Sequence, residues 1–248
     1  MDQRNKKIIY LNEVESTNNY ANQLILSDAA EEGTVVLAQY QTHGKGQHGN
    51  VWESETGKNL LMSIIWYPGF LPASQQFMIS KIVSIAITDC VNEIIDDCKI
   101  KWPNDIYIGN QKLAGILIEN SVKGSHLSSS VVGIGLNVNQ QVFISAAPNP
   151  VSLFQITGVI YDISELMEKL LMRLTFWYNE LLNEQTDKIN RLYLSRLYRY
   201  HEWSLFTDSD KQKFEARIIN IGKFGQLILE LPNKVEREYM FKEIEYVL

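Results

Sequence analysis

Apolar residues recur along this chain in two rhythms, one of strands and one of helices. Residues 8–11, 35–38 and 60–66 are short apolar runs that predict strands. Behind Ser16-Thr17-Asn18, whose hydroxyl and amide groups suit a helix start, Tyr20, Leu24 and Ile25 repeat at helical spacing. From 74 to 97, Phe77, Ile79, Ile82, Val83, Ala86, Cys90 and Ile94 recur at three- and four-residue steps, which predicts a long helix packed on a sheet. Residues 106–108 and 113–118 alternate as strands around Gly109-Asn110-Gln111, a sequence that tolerates the backbone of a hairpin turn. Residues 130–139 form another apolar strand, and 162–182 and 188–201 are amphipathic helices. The pattern ends with apolar-polar alternation over 214–248 around Gly222, Gly225 and Pro232-Asn233, as in a small β-barrel or sandwich. So short a module buries too little surface to be stable alone, and it should lean on the preceding one.

Between two of the strand-like runs lies a glycine loop, Gly44-Lys45-Gly46-Gln47-His48-Gly49. Glycines allow positive φ and close backbone approach, and successive amides in such a loop can converge on an anion. The loop is therefore a candidate phosphate cradle, the alternative being a merely tight turn. Its spacing matches G-x-G-x-x-G, but a dinucleotide site needs a helix directly after the glycines, and here a polar turn and a strand follow. A P-loop ends in Gly-Lys-Ser/Thr, whereas this one ends Gly49-Asn50-Val51. Gly133 and Gly135 lie two apart in a strand and so share one face, leaving room for a flat ligand or for a closely packed helix.

Composition narrows the options. The 248 residues suffice for one large domain and a small appendage, and 45% apolar with 21% charged residues is ordinary for a globular protein. A net charge of −6 argues against non-specific nucleic-acid binding, so any anion site must be local. Cys90 and Cys98 sit in or beside one apolar helix pattern, as buried thiols of a reducing compartment would. There is no apolar signal core and no run of ~20 apolar residues, so a soluble, cytoplasmic protein without a membrane partner is expected. His43 and His48 lack a third metal ligand at suitable spacing.

Five motifs together carry a resemblance: Glu15-Ser16-Thr17-Asn18; Gln39-Tyr40-Gln41 with the glycine loop and Trp52; KWPND at 101–105; KLAGILIE at 112–119; and GIGLNVN at 133–139. In order and spacing they resemble a biotin protein ligase over essentially the whole chain. The resemblance implies an α+β fold, with a mixed-sheet catalytic domain flanked by helices over 1–203 and a C-terminal SH3-like β-barrel over 204–248. It implies that biotin and ATP, with Mg²⁺, form biotinyl-5′-AMP, which then acylates a lysine of a biotin carboxyl carrier protein. Some members add a DNA-binding winged helix. This chain opens at the catalytic strand, so repressor function and a nucleic-acid partner are expected to be absent, and a homodimer is left open.

Carried over residue by residue, Lys112 resembles the lysine that bridges the biotin carboxylate and the phosphate. Asp105 resembles the carboxylate that receives the acceptor lysine, and Lys45 stands in the loop beside the reacting groups. Ser16, Thr17, Asn18, Gln41, Gly44, Gly46, Gln47, Gly115, Gly133 and Gly135, with Lys45 and Lys112, are the expected biotin contacts. A cyclic urea needs both a donor and an acceptor, and Thr17 and Gln41 resemble the family residues that supply them. Trp52, Asn104 and Asn137, with Lys45, Gln47 and Lys112, are the expected nucleotide contacts. Trp102 and Pro103 suit packing rather than chemistry. One departure stands out: the family loop commonly carries arginines where this chain has Lys45, Gln47, His48 and Asn50, and no arginine occurs between Arg4 and Arg173. Lysine is a point charge and does not copy a bidentate guanidinium, so weaker retention of the adenylate is expected. The rival readings are a lipoate-type ligase or acyltransferase of the same fold, whose transferases need a cysteine nucleophile, and a non-catalytic biotin binder.

Overall fold

The computed structural model describes residues 7–144 and 149–247, and places them in two sheets with five helices among these residues. Seven strands form the first sheet: β1 (Ile8–Val14), β2 (Val35–Gln41), β3 (Leu60–Trp66), β4 (Cys98–Lys101), β5 (Asp105–Ile108), β6 (Gln111–Lys123) and β7 (His126–Leu136). Their order in space is β1-β2-β3-β7-β6-β5-β4. Only β1 and β2 run parallel, joined by the crossover helix α1 (Thr17–Leu26), so the sheet is mixed as expected.

Strand β3 shows how the two faces are used. Leu60, Met62, Ile64 and Trp66 point into the main core, against Ile79, Ile82 and Ala86 of α2 (Phe77–Val91). Ile65 points the other way, into a smaller cluster with Val36, Val131 and Ala21 beneath α1. Both faces are covered, so all seven positions are buried and the sequence reads as an unbroken apolar run. After the short α3 (Leu153–Thr157), which the periodicity did not reveal, α4 (Ile163–Leu182) packs on α2, with the Trp66 and Tyr178 rings 4.6 Å apart.

Two helix ends fall short of the periodic pattern because strand edges take over the backbone. Helix α2 stops at Val91, and the Asn92 side chain accepts from the Cys98 amide at 3.1 Å, turning the chain into β4. Cys98 is thus a strand residue, not a helical one, while Cys90 lies on α2; both thiols are buried. Likewise α5 (Thr186–Ser195) ends where Ile100 donates to Arg196 and Tyr198 donates back to Ile100, pairing this segment with the edge of β4. The predicted hairpin is present, with Gly109 at φ 55°, but β6 runs on to Lys123 before returning as β7.

The second sheet comprises β8 (Trp203–Asp208), β9 (Lys213–Ile221), β10 (Leu227–Glu230), β11 (Glu236–Tyr239) and β12 (Ile244–Tyr246), in the order β11-β10-β9-β8-β12, all antiparallel. It leans on the first as expected. Phe206, Ile218, Leu227 and Leu229 join the main core, and Trp102 donates its indole N–H to the Gly225 carbonyl at 2.8 Å. Gly225, at φ 93°, lies so close to Phe77 that a Cβ would come within 2.6 Å of the ring. Trp102 therefore serves packing.

Candidate active site

The same period of two that drives β3 into the core builds a floor on the opposite face. Ser63 of β3 is in register with Gly133 of β7, which is in register with Leu117 of β6; one step along, Leu61, Gly135 and Gly115 line up in the same way. Three glycines on adjacent strands leave this floor without side chains. Gly133 makes room for the Asn18 carboxamide, while a Cβ on Gly135 or Gly115 would come within 2.5 or 2.8 Å of the Trp52 indole. The space the glycines leave is filled, by Asn18 of α1 over Gly133 and by Trp52 over Gly115 and Gly135, with the Trp52 indole N–H buried and without a hydrogen-bond partner among the described residues.

One wall is the start of α1. Ser16 occupies the cap position, yet its side chain makes no cap bond. The cap comes from β2: Gln41 Oε1 accepts from the Thr17 amide at 2.7 Å and from the Thr17 hydroxyl at 3.1 Å. With its oxygen engaged, Gln41 presents its NH₂ group to the loop, next to Gly44. Ser63 Oγ lies 2.8 Å from Thr17 Oγ1 and 2.7 Å from Asn18 Oδ1, and Asn18 donates onward to Glu119 at 2.9 Å. Ser63 and Glu119 were not foreseen; the signal for Ser63 was a hydroxyl inside an otherwise apolar strand.

The glycine loop forms the rim. Lys45 bridges Val51, Gly46 donates to Asn50 at 2.7 Å and Trp52 donates to Gly44 at 2.8 Å, around a single 3₁₀ turn, Gln47–Gly49. Only Gly49 has positive φ, 86°. Gly44 and Gly46 instead let the two arms close, since a Cβ on Gly44 would meet the Trp52 carbonyl at 2.6 Å. The Gly46 amide is spent inside the loop, so the cradle offers fewer free amides than three glycines suggest. Lys45 reaches Asn19 at 2.6 Å. The side chain of His48 lies outside what is described.

Opposite the loop stands an ion pair. Lys112 Nζ lies 2.7 Å from Asp105 Oδ1, with each side chain about one-fifth exposed, and 5.6 Å from the centre of a Trp52 ring. The pair is ionic rather than an aligned hydrogen bond, which leaves Oδ1 able to accept one. The backbone of Lys112 is pinned on both sides by Asn149 and Val151 at 2.8 and 2.9 Å. Asn137 is buried behind it, donating to the Val151 carbonyl at 3.1 Å, and Asn104 donates to the Ile116 carbonyl at 2.7 Å.

Between these walls lies a cavity of about 50 Å³, lined by Ser16, Thr17, Asn18, Gln41, Lys45, Gly46, Gln47, Trp52, Asn104, Lys112, Gly115, Gly133 and Gly135. Of the expected site residues, only Gly44, Asp105 and Asn137 do not line it. Asp105 faces a second cavity of about 400 Å³ between the two sheets, which Gln47 also borders. The Lys112–Asp105 pair thus joins the two cavities. No three His, Cys, Asp or Glu converge among the described residues, and none of the described helices is long and apolar enough to cross a membrane.

Comparison with known proteins gives this arrangement its context. Residues 10–137, which span the floor, the α1 wall, the loop and the ion pair, match the biotin/lipoate A/B protein ligase family. The chain belongs to that family. It is similar to the bifunctional ligase/repressor BirA of Bacillus subtilis, 31% identical over 242 residues covering 94% of this chain and 72% of the relative. It is also similar to the biotin–[acetyl-CoA-carboxylase] ligase of Paracoccus denitrificans, 30% identical over 227 residues covering 88% and 92%. Among solved structures, the Aquifex aeolicus biotin protein ligase in complex with biotin and ATP superposes with a TM-score of 0.82 at 23% identity, over 98% of this chain and 100% of that one. That last likeness establishes the fold, including the C-terminal SH3-like sheet.

Proposed function

We propose that this family member activates biotin with ATP to biotinyl-5′-AMP and transfers the biotinyl group to a lysine of a biotin carboxyl carrier protein. The observation that carries the residue-level reading is the position of Lys112, at the meeting point of the glycine-floored cavity and the cavity that Asp105 faces. In the first step a carboxylate oxygen of biotin attacks the α-phosphorus and pyrophosphate leaves. Two anions must approach in line, so a fixed cation between them lowers the barrier. Lys112 supplies it, giving up its contact with Asp105. In the second step the carrier amine attacks the acyl carbon, AMP leaves, and Asp105 accepts the amine's proton.

Binding requires Trp52 to rise from the floor, because about 50 Å³ is well below the roughly 300 Å³ of a small-molecule pocket. The ureido ring then lies on Gly115 and Gly135, with the Gln41 NH₂ and Thr17 hydroxyl at its edge. Gly135→Ala is expected to weaken biotin binding more than about tenfold, or about 1.4 kcal/mol, measured by calorimetry, since its methyl group would occupy the floor. Unchanged affinity would remove biotin from this surface. Mg²⁺ is proposed to arrive with the triphosphate, held by phosphates and water as is usual for this ion, and to screen charge there.

The lipoate-type transferase reading finds no nucleophile. Burial pushes the Cys90 thiol up to about 11 and the Cys98 thiol up to about 12, and an unactivated thiol is a poor attacking group. The binder reading is tested by mixing protein, biotin and ATP: biotin-dependent pyrophosphate release is expected, and its absence would favour a binder.

The arginine-free loop predicts leakage. A hydrogen bond to a charged group contributes roughly 1.5 to 3 kcal/mol, so Gln47→Arg is expected to slow adenylate release by roughly tenfold or more and to reduce labelling of a bystander protein. If neither quantity changes, position 47 does not control retention.

A further inference from the structure

We propose that Lys101 is a positioning residue of the transfer step, whose charge keeps the incoming carrier amine unprotonated as it passes Asp105; this rests on the ligase reading above. Lys101 ends β4 and stands in register with Asp105 across the 102–104 turn. Its ammonium donates to the Tyr107 hydroxyl at 3.0 Å and lies 4.6 and 5.2 Å from the ring centres of Tyr107 and Tyr246. Burial raises both phenols, so they stay neutral and give Lys101 no counter-charge. Among the described residues Lys101 has no ion-pair partner, although it borders the cavity that Asp105 faces. The other charges near it are Lys112 on the first sheet, Arg199, which donates to the Val247 carbonyl, and Lys242 and Glu245 on the side of the second sheet. Glu245 is met by Lys211 at 3.4 Å. Burial lowers the pKa of Lys101, the Asp105 carboxylate works against that, and Lys112 and Arg199 add smaller downward pushes.

A cation at this place, beside Asp105 but in no ion-pair contact among the described residues, answers a specific difficulty. Once the adenylate phosphate takes Lys112, Asp105 is a bare carboxylate, and an opposite charge stabilises a lysine as its ammonium. The ammonium has no lone pair with which to attack. A second cation beside the path offsets that attraction, because like charge favours the neutral amine. The amine then forms the amide bond, the anhydride C–O bond breaks, AMP departs, and Asp105 takes the proton released from nitrogen. Lys101 touches none of the reacting atoms in this scheme; it sets the field in which Asp105 works.

The test is single-turnover transfer from preformed biotinyl-5′-AMP, followed across neutral and mildly alkaline pH, for wild type, Lys101→Met and Lys101→Arg. Two acceptors are compared: the carrier domain, and hydroxylamine, which is already unprotonated at neutral pH. Removing the charge raises the pKa of the carrier amine. Lys101→Met is therefore expected to move the rise in carrier transfer up by about one pH unit, to slow it about tenfold at neutral pH and to leave the hydroxylamine reaction nearly unchanged. Lys101→Arg should restore the wild-type profile. An unshifted profile in Lys101→Met, or equal losses with both acceptors, would overturn the proposal in favour of a packing role. Were the wild-type protein to release no pyrophosphate from biotin and ATP, the ligase reading would fail first, before any substitution at position 101.

Discussion

Lys112→Ala is expected to slow biotin-dependent pyrophosphate release by roughly 10²- to 10³-fold, the usual loss when one preorganised charge-stabilising group is removed. The side chain sits at the junction of the two cavities, and its backbone is held by Asn149 and Val151 independently of the ammonium. The strand should therefore survive the substitution. Asp105 Oδ1, otherwise shut off from solvent and without an aligned donor, loses the one ion-pair contact it has among the described residues, so stability should drop by about 1 to 3 kcal/mol. Circular dichroism and a melting curve distinguish that modest loss from unfolding. A folded variant with near-normal pyrophosphate release would show that another group brings the carboxylate to the phosphate.

Asp105→Asn is expected to separate the two half-reactions. Adenylate formation needs cations rather than a base, so it should proceed at close to the wild-type rate. Transfer to the carrier should slow by roughly 10²-fold or more, because an amide cannot accept the amine's proton. The shape is retained, and Asn can still meet Lys112. Preformed adenylate is the reagent of choice, since it isolates the second step. Equal slowing of both steps would make Asp105 a structural partner of Lys112 instead.

Much of this site was legible in the sequence because it follows from period two. Gly133 and Gly135 belong to one face by alternation alone, and the structure adds Gly115 beside them by strand register. The run 60–66 announced a strand, and its hydroxyl at Ser63 was the visible trace of the network that holds Thr17 and Asn18. What the sequence could not give were contacts between elements distant along the chain. Local pattern made Ser16 the natural helix cap, but Gln41, 24 residues from Thr17, does that work, because β1 and β2 pair in parallel and bring the end of β2 to the start of α1. Three glycines in the loop fit a phosphate cradle or a tight turn equally, and sequence alone does not show that the arms close on Gly44 and Gly46. Helices α2 and α5 end early for the same kind of reason: competition from a strand edge carries no signature in helical periodicity.

The most direct test of the central claim follows the biotinyl group itself. Purified protein, biotin, ATP, Mg²⁺ and a biotin carboxyl carrier domain are incubated together, and the intact mass of the carrier is read by mass spectrometry, with omission of ATP as the control. Addition of one biotinyl group per carrier, located on a single lysine and dependent on ATP, is the predicted result. An unmodified carrier alongside ATP-dependent transfer of a different acyl group, or no ATP consumption at all, would contradict it.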